Sequence, residues 1–237
     1  VPDDRHLPFV LGGRVGLRFD AASRATWMAL AVVCAAIAPP VRGLYHATGS
    51  SMEEGFMLVF PRLVQEGKVP NVDFLHLYGP TSLDVLAVWY RVFGESLGSQ
   101  RTFGLLQHVG IVFAIYTLAR VGGHLAAVGA ALVATLMIVT PIGLSALAWH
   151  GALALGLWAI VFAVRASSSS TPNGSIVNWW WAGGLAGFAL GYRPDLAVAL
   201  TVALAWLLWR HRAGAWPLVA GAFVGLLPMW RHLIVAG

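Results

Sequence analysis

Long apolar stretches are the feature that most constrains what this chain can fold into. Several reach or approach the roughly 20 residues that a helix needs to cross a bilayer core of roughly 30 Å. No soluble domain of 237 residues needs a sequence that is 58% hydrophobic to fill its core. The sequence therefore predicts an all-α fold, a polytopic membrane helix bundle with about seven transmembrane helices. The seven stretches are approximately residues 25–42, 102–119, 124–141, 145–164, 177–192, 194–209 and 215–236.

The start of the chain does not have the form of a cleavable signal peptide, because it carries several arginines and no long apolar core. We expect residues 1–24 to form a cytoplasmic segment and residues 25–237 to form the transmembrane module. The formal net charge of +5 is explained by arginines in cytoplasmic loops, so no nucleic-acid partner is predicted. Cys34 is the single cysteine, which excludes an intrachain disulfide.

Residues 43–100 are predicted to form a long external loop. Within it, residues 79–94 contain Asp84 and Arg91 with a short apolar stretch between them, and a charge at the bilayer centre costs about 2.5–3.5 kcal/mol. Upstream of residue 79, between residues 56 and 63, apolar side chains recur at helical spacing. We therefore expect two helices that lie along the membrane surface. The apolar stripe of the first consists of Phe56, Val59, Phe60 and Leu63.

Acidic residues are unevenly distributed in this topology. Lysines and arginines divide almost equally between the two sides and decide little, but most of the acids fall outside. The external face is therefore where acid chemistry is expected. The external acids are Glu53, Glu54, Glu66, Asp73, Asp84, Glu95 and Asp195.

Several short motifs follow one another in a particular order. Each motif is weak by itself, but the order resembles the GT-C superfamily of membrane glycosyltransferases, which take a sugar from a polyprenyl-phosphate carrier. The resemblance covers most of the chain. Its motifs are Glu53-Glu54-Gly55 after the first span, "EGKVPNVDF" (66–74), "HLYGP" (76–80), "RVFG" (91–94), Arg101 at the start of the second span, and "GYRPD" (191–195).

This resemblance implies a GT-C-like module that acts as an inverting glycosyltransferase on an extracytoplasmic glycan, lipid or protein. It implies Glu53 and Glu54 as catalytic residues, no required cofactor and a possible divalent cation. The donor-binding residues would be Arg101, Arg193, His76 and Tyr78, although His76 and Tyr78 could instead shape the acceptor pocket or hold the turn before Pro80.

Two departures from the family pattern are visible. Many relatives have Asp where this chain has Glu53, whose carboxylate reaches one methylene further. Relatives also usually continue with several more helices, and this sequence starts with Val1, so we expect a piece of a longer protein.

The chemistry also fits the residues themselves. Inverting transfer from a lipid phosphate needs a carboxylate to accept the proton of the attacking hydroxyl, and cations to stabilise the departing phosphate. The resemblance makes Glu53 the favoured base, because it occupies the first-acid position of the GT-C pattern. Arginine can hold phosphate oxygens bidentately, so Arg101 and Arg193 should lie within about 15 Å of the glutamates.

Other interpretations stay open. The two glutamates could simply favour the positive end of a helix, and the arginines could be interfacial anchors. A transporter or a non-catalytic membrane scaffold is the alternative function, although a transporter more often places charges at the bilayer midplane. The composition, rich in Ala, Gly, Arg and Trp, suggests a GC-rich bacterium. We therefore expect an integral protein of the bacterial inner membrane, with membrane lipids as partners.

Overall fold

A computed structural model describes residues 24–47, 51–139, 143–209 and 211–236. Nearly all of the predicted cytoplasmic segment 1–24 therefore lies outside the described residues. Within these ranges the regular structure is helical, apart from one isolated bridge between Pro70 and Phe74. The predicted all-α fold is confirmed for this part of the chain.

Ten α-helices make up the described structure. Short helical turns connect or extend several of them: 3₁₀ turns at Arg120–Gly122, Pro194–Leu196 and Arg212–Gly214, and a π turn at Thr135–Val139. The helices are α1 (Arg24–His46), α2 (Ser51–Gln65), α3 (Thr81–Phe93), α4 (Leu97–Ala119), α5 (His124–Ala134), α6 (Ala148–Ser168), α7 (Pro172–Tyr192), α8 (Ala197–Trp209), α9 (Ala215–Gly225) and α10 (Leu227–Ala236).

Three of the described helices are long and apolar enough to cross a membrane: α1, α4 with its following turn, and α6. A fourth candidate is α9 with its preceding turn and α10, which are bent by 48° where they meet. The structure therefore supports an integral membrane protein, with three or four candidate spans among the described residues, and the predicted seven spans are not confirmed. Other apolar stretches form shorter helices, such as His124–Val139 and Pro194–Trp209.

Small residues bring the helices of the bundle close together. Helix α9 packs on α7, α7 on α6, and α6 on α4, while α5 and α1 complete the other side. A Cβ atom built on Gly187 of α7 would lie 2.2 Å from the carbonyl oxygen of Ala222 in α9, and one on Gly183 would lie 1.9 Å from that of Leu218. Without a side chain at these positions the two backbones touch, as in many membrane helix pairs.

Helix direction brings four helix ends to one end of the bundle. Helices α4 and α6 run parallel, since Trp158 donates to the carbonyl of Gly110 (3.0 Å) and the rings of His108 and His150 lie 4.1 Å apart. Helix α7 returns antiparallel to α6. The N-terminal ends of α4 and α6 therefore lie beside the C-terminal ends of α1 and α7. We call this the α2 end of the bundle, because α2 and α3 pack there.

The short helices α2 and α3 have 15 and 13 residues, or about 22 and 20 Å at 1.5 Å per residue. Both are shorter than the roughly 30 Å of a bilayer core. Phe56 and Val59, two members of the predicted apolar stripe, are exposed on α2. The two predicted helices are thus present, and their placement along the membrane surface stays a prediction.

Asp84 in α3 has a partner that the sequence did not suggest. Nε2 of His232 in α10 lies 2.7 Å from a carboxylate oxygen of Asp84, and both side chains are largely buried. This contact ties the last described helix to α3 at the α2 end of the bundle.

The contact between α7 and α9 leads to a prediction about stability. Gly187→Ala should force the α9 backbone away and cost about 1–3 kcal/mol, as overpacking typically does. Gly129→Ala in α5 is the matched control, because a Cβ atom there meets nothing within 4 Å and alanine favours a helix over glycine. Thermal unfolding in detergent should show a lower midpoint for Gly187→Ala only; equal midpoints would contradict the close contact.

Candidate functional site

Glu54 and Arg101 form a buried ion pair at the α2 end of the bundle. Nε of Arg101 donates to one carboxylate oxygen of Glu54 at 2.8 Å, and Nη2 donates to the other at 3.0 Å. The exposed fractions of the two side chains are 7% for Arg101 and 9% for Glu54. This bidentate geometry is the strongest arrangement available to an arginine and a carboxylate.

The same guanidinium also holds the end of α1. Nη1 donates to the carbonyl of Tyr45 at 2.6 Å and Nη2 to the carbonyl of Ala47 at 2.9 Å. These oxygens belong to the end of α1, where carbonyls lack partners within a helix. Gln100 adds a bond to the backbone carbonyl of Glu54 at 3.3 Å. Arg101 therefore joins the ends of α1, α2 and α4.

These bonds restrict what Arg101 can do for a substrate. A guanidinium has five N–H donors, and four of the five are used by Glu54, Tyr45 and Ala47. Within the described residues, this leaves one N–H donor for a phosphate oxygen. A donor-binding role for Arg101 stays a prediction, whereas its structural bonds are direct contacts.

Glu53 differs in its contacts from Glu54, its neighbour along the chain. Both acids lie in the first turn of α2, as the helix-end interpretation expects. Glu53 is half-buried and makes no hydrogen bond or ion pair with another residue of the described ranges. Its carboxylate is therefore open to a ligand, while that of Glu54 is neutralised by Arg101.

A second group of predicted residues meets where the loop before α3 contacts the end of α7. The backbone N–H of Gly79 donates to the carbonyl of Tyr192 at 2.8 Å. A Cβ atom on Gly79 would lie 2.1 Å from the carbonyl oxygen of Gly191, so the approach requires glycine. The "HLYGP" and "GYRPD" motifs, which are far apart in sequence, thus lie against each other.

Arg193 is held in this second group. Its guanidinium carbon lies 5.4 Å from the ring centroid of Tyr78, within cation–π range. Nε and Nη2 donate to the two carboxylate oxygens of Asp195 at 2.9 and 2.5 Å. No contact in the described ranges joins Arg193 to Glu53 or Glu54, and the predicted approach of Arg193 to these glutamates stays a prediction.

His76 is buried between two aromatic rings. It makes edge contacts with Phe60 and Tyr78, with centroid distances of 5.9 and 5.7 Å, and its backbone N–H donates to Oδ1 of Asn71 at 3.0 Å. Burial lowers the pKa of His76 to about 4, against the opposing effect of a hydrogen bond with the backbone of Gly79. The imidazole is therefore neutral at pH 7 and cannot supply positive charge to a phosphate.

Metal binding has little support from the described residues. No group of three or more His, Cys, Asp or Glu side chains among them is arranged to hold an ion. Since Glu54 is committed to Arg101, a divalent cation would have to use Glu53 and a substrate phosphate. The predicted divalent cation stays a prediction.

Comparison with known proteins does not assign the chain to a family. No protein-family model, curated protein or solved structure matches it. The GT-C resemblance therefore rests on the order of the motifs, and its site roles stay predictions.

Several residues of the two groups were not identified from the sequence. Tyr45 and Gln100 carried no signal, because one contributes a backbone carbonyl and the other is an amide at the end of the predicted external loop. Asp195 offered a weak signal, since it stands two positions after Arg193 and could have been recognised as its partner. Asn71 has a positive φ of 65°, a conformation that asparagine tolerates better than most residues.

The ion pair leads to a second prediction. Glu54→Gln should leave Arg101 as a buried cation without its carboxylate and lower the free energy of unfolding by about 3 kcal/mol. Glu53→Gln is the matched control, because it removes a charge without breaking a described contact. Chemical or thermal unfolding in detergent measures both. If the two variants unfolded alike, the ion pair would not hold α2 in place.

Proposed function

We propose that this chain acts as an inverting membrane glycosyltransferase that moves a sugar from a polyprenyl-phosphate donor to an extracytoplasmic glycan, lipid or protein. The observation that carries the proposal is the half-buried carboxylate of Glu53, which has no partner among the described residues, beside the buried Glu54–Arg101 pair. Glu53 is the general base, and Glu54 with Arg101 positions it.

The ion pair prepares Glu53 for this role in two ways. Arg101 offsets the charge of Glu54, so the three side chains together carry one net negative charge instead of two. The pair also fixes the first turn of α2 against α4 and the end of α1. A base on a fixed helix end keeps its position relative to the attacking hydroxyl, which transfer requires.

The transfer step follows from this arrangement. The acceptor hydroxyl oxygen attacks the anomeric carbon of the donor sugar from the face opposite the phosphate. The bond between that carbon and the phosphate oxygen breaks, and its electron pair stays on the phosphate. The hydroxyl proton passes to the carboxylate of Glu53. The configuration at the anomeric carbon is inverted.

Arg193 is the candidate for stabilising the departing phosphate. Its side chain is 29% exposed and its partner Asp195 is more exposed, and exposed ion pairs contribute little stability. Arg193 can therefore exchange Asp195 for a phosphate at little cost in free energy. Tyr78 supports the guanidinium from one side, while the neutral His76 contributes a hydrogen-bonding ring rather than charge.

The proposed topology has seven passes. Helices α1, α4, α5 with its π turn, α6, α7 and α8, and the bent pair of α9 and α10, would each cross once. With the N-terminus in the cytoplasm, the α2 end then faces the outside of a bacterial inner membrane. A lipid-linked sugar would reach Glu53 from the bilayer, since its phosphate lies at headgroup depth.

A transporter is the second candidate, and one observation favours it. His108 and His150 are buried within the bundle, and their rings lie 4.1 Å apart. Gln107 and Ser145 carry buried oxygens without described partners. Polar side chains inside a membrane bundle often mark a transport pathway. We favour the transferase because Glu53 lies at one end of the bundle, outside this cluster.

The proposal predicts the effect of removing the base. Glu53→Gln should reduce transfer from a polyprenyl-phosphate sugar by roughly 10²–10⁴-fold without lowering the unfolding midpoint. Glu66→Gln is the control, because Glu66 is an exposed glutamate near the same helix, paired with Arg62. The assay uses the full-length protein in detergent.

Three outcomes separate the functions. Loss of transfer in Glu53→Gln alone supports the transferase. A wild-type transfer rate in Glu53→Gln would contradict the assignment of Glu53 as the base. Solute flux into liposomes that persists in Glu53→Gln and is lost in His150→Ala would establish the transporter instead.

A further inference from the structure

A groove runs along the membrane-spanning part of the bundle, between α1, α4 and α6. Its volume is about 450 Å³, within the range of small-molecule sites. One face of α4 forms its floor, with Trp158 of α6 and Leu30 of α1 at its sides. Most of the lining is apolar, so the groove suits a hydrocarbon chain.

The groove has the length of one leaflet. The residues of α4 that line it run from Leu106 to Thr117, or about 16 Å along the helix axis. Half of a bilayer core is about 15 Å. The groove extends from the middle of the spanning helices towards the end of the bundle opposite to Glu53.

Three polar residues line that outer end, and the hydroxyl of one of them, Thr117, is bonded to the carbonyl of Phe113. Tyr116 is 1% exposed, and its hydroxyl has no hydrogen-bond partner in the described parts of the chain. Arg165, in the last turn of α6, also lines the groove. Its guanidinium lies 5.7 Å from the ring centroid of Phe162 and makes no hydrogen bond or ion pair with another described residue. A half-buried cation and a buried phenol thus share one end of an apolar groove.

We propose that this groove binds an anionic glycerophospholipid, with one acyl chain along α4 and the phosphate on Arg165. An apolar groove alone would accept any hydrocarbon chain. Arg165, which has no ion-pair partner among the described residues, adds a charge that an anionic headgroup complements, and guanidinium matches phosphate oxygens bidentately. The hydroxyl of Tyr116 supplies a further donor to the ester or phosphate oxygens.

This lipid site is distinct from the proposed transferase site. Glu53 lies at the α2 end of the bundle, whereas Arg165 lies at the opposite end, in the last turn of α6. The bound lipid would belong to the opposite leaflet from the sugar donor. The lipid proposal therefore does not depend on the activity of Glu53.

Lipid retention in native mass spectrometry tests the proposal. The full-length protein in detergent is titrated with dioleoylphosphatidylglycerol and, separately, with zwitterionic dioleoylphosphatidylcholine. The wild type should retain the anionic lipid preferentially. Arg165→Gln should weaken that retention at least about fivefold, as the loss of a charge-assisted hydrogen bond does. Arg212→Gln is the control, because Arg212 is exposed at the same end of the bundle and does not line the groove.

A second variant tests the acyl-chain part of the groove. Val109→Trp should fill the groove and reduce retention of phosphatidylglycerol while Arg165 is unchanged. Equal retention of both lipids by the wild type would overturn the role of Arg165. Equal loss in Arg165→Gln and Arg212→Gln would show general charge attraction. A dimer that Val109→Trp dissociates would show that a second copy occupies the groove.

Discussion

The bidentate bond between Arg101 and Glu54 is the contact on which the proposed site depends. Helix α2 is short, contains Pro61 and exposes much of its apolar surface, so its own packing fixes it weakly. The guanidinium of Arg101 connects its first turn to α4 and to the last carbonyls of α1. A buried ion pair contributes little net stability once the cost of desolvation is included. Its main effect here is to define where the neighbouring carboxylate lies.

The rest of the fold supplies the platform for this contact. Glycines in α7 and α9 let their backbones touch, and the parallel pair of α4 and α6 places their N-terminal ends beside the ends of α1 and α7. The loop at Gly79 then lies against α7. Close packing of small residues between the helices thus supports the helix ends at which the polar groups meet.

Local patterns could be predicted from the sequence, and contacts between distant residues could not. Helical spacing of Phe56, Val59 and Phe60 indicated α2, because amphipathic periodicity is a property of a short segment. Arg101 and Glu54 are 47 positions apart, and His232 and Asp84 are 148 apart, so charge alone does not name the partner. Apolar stretches did not predict helix length, because His124–Val139 and Pro194–Trp209 form helices of fewer than 18 residues.

Carboxyl labelling tests the central claim most directly. An apolar carbodiimide reacts with accessible carboxyl groups, and peptide mass spectrometry distinguishes Glu53 from Glu54 by fragmentation. The account predicts that the native protein is labelled at Glu53 and protected at Glu54, and that Arg101→Gln exposes Glu54 to the reagent. Equal labelling of both glutamates in the native protein would contradict the buried ion pair and the role of Glu53 that depends on it.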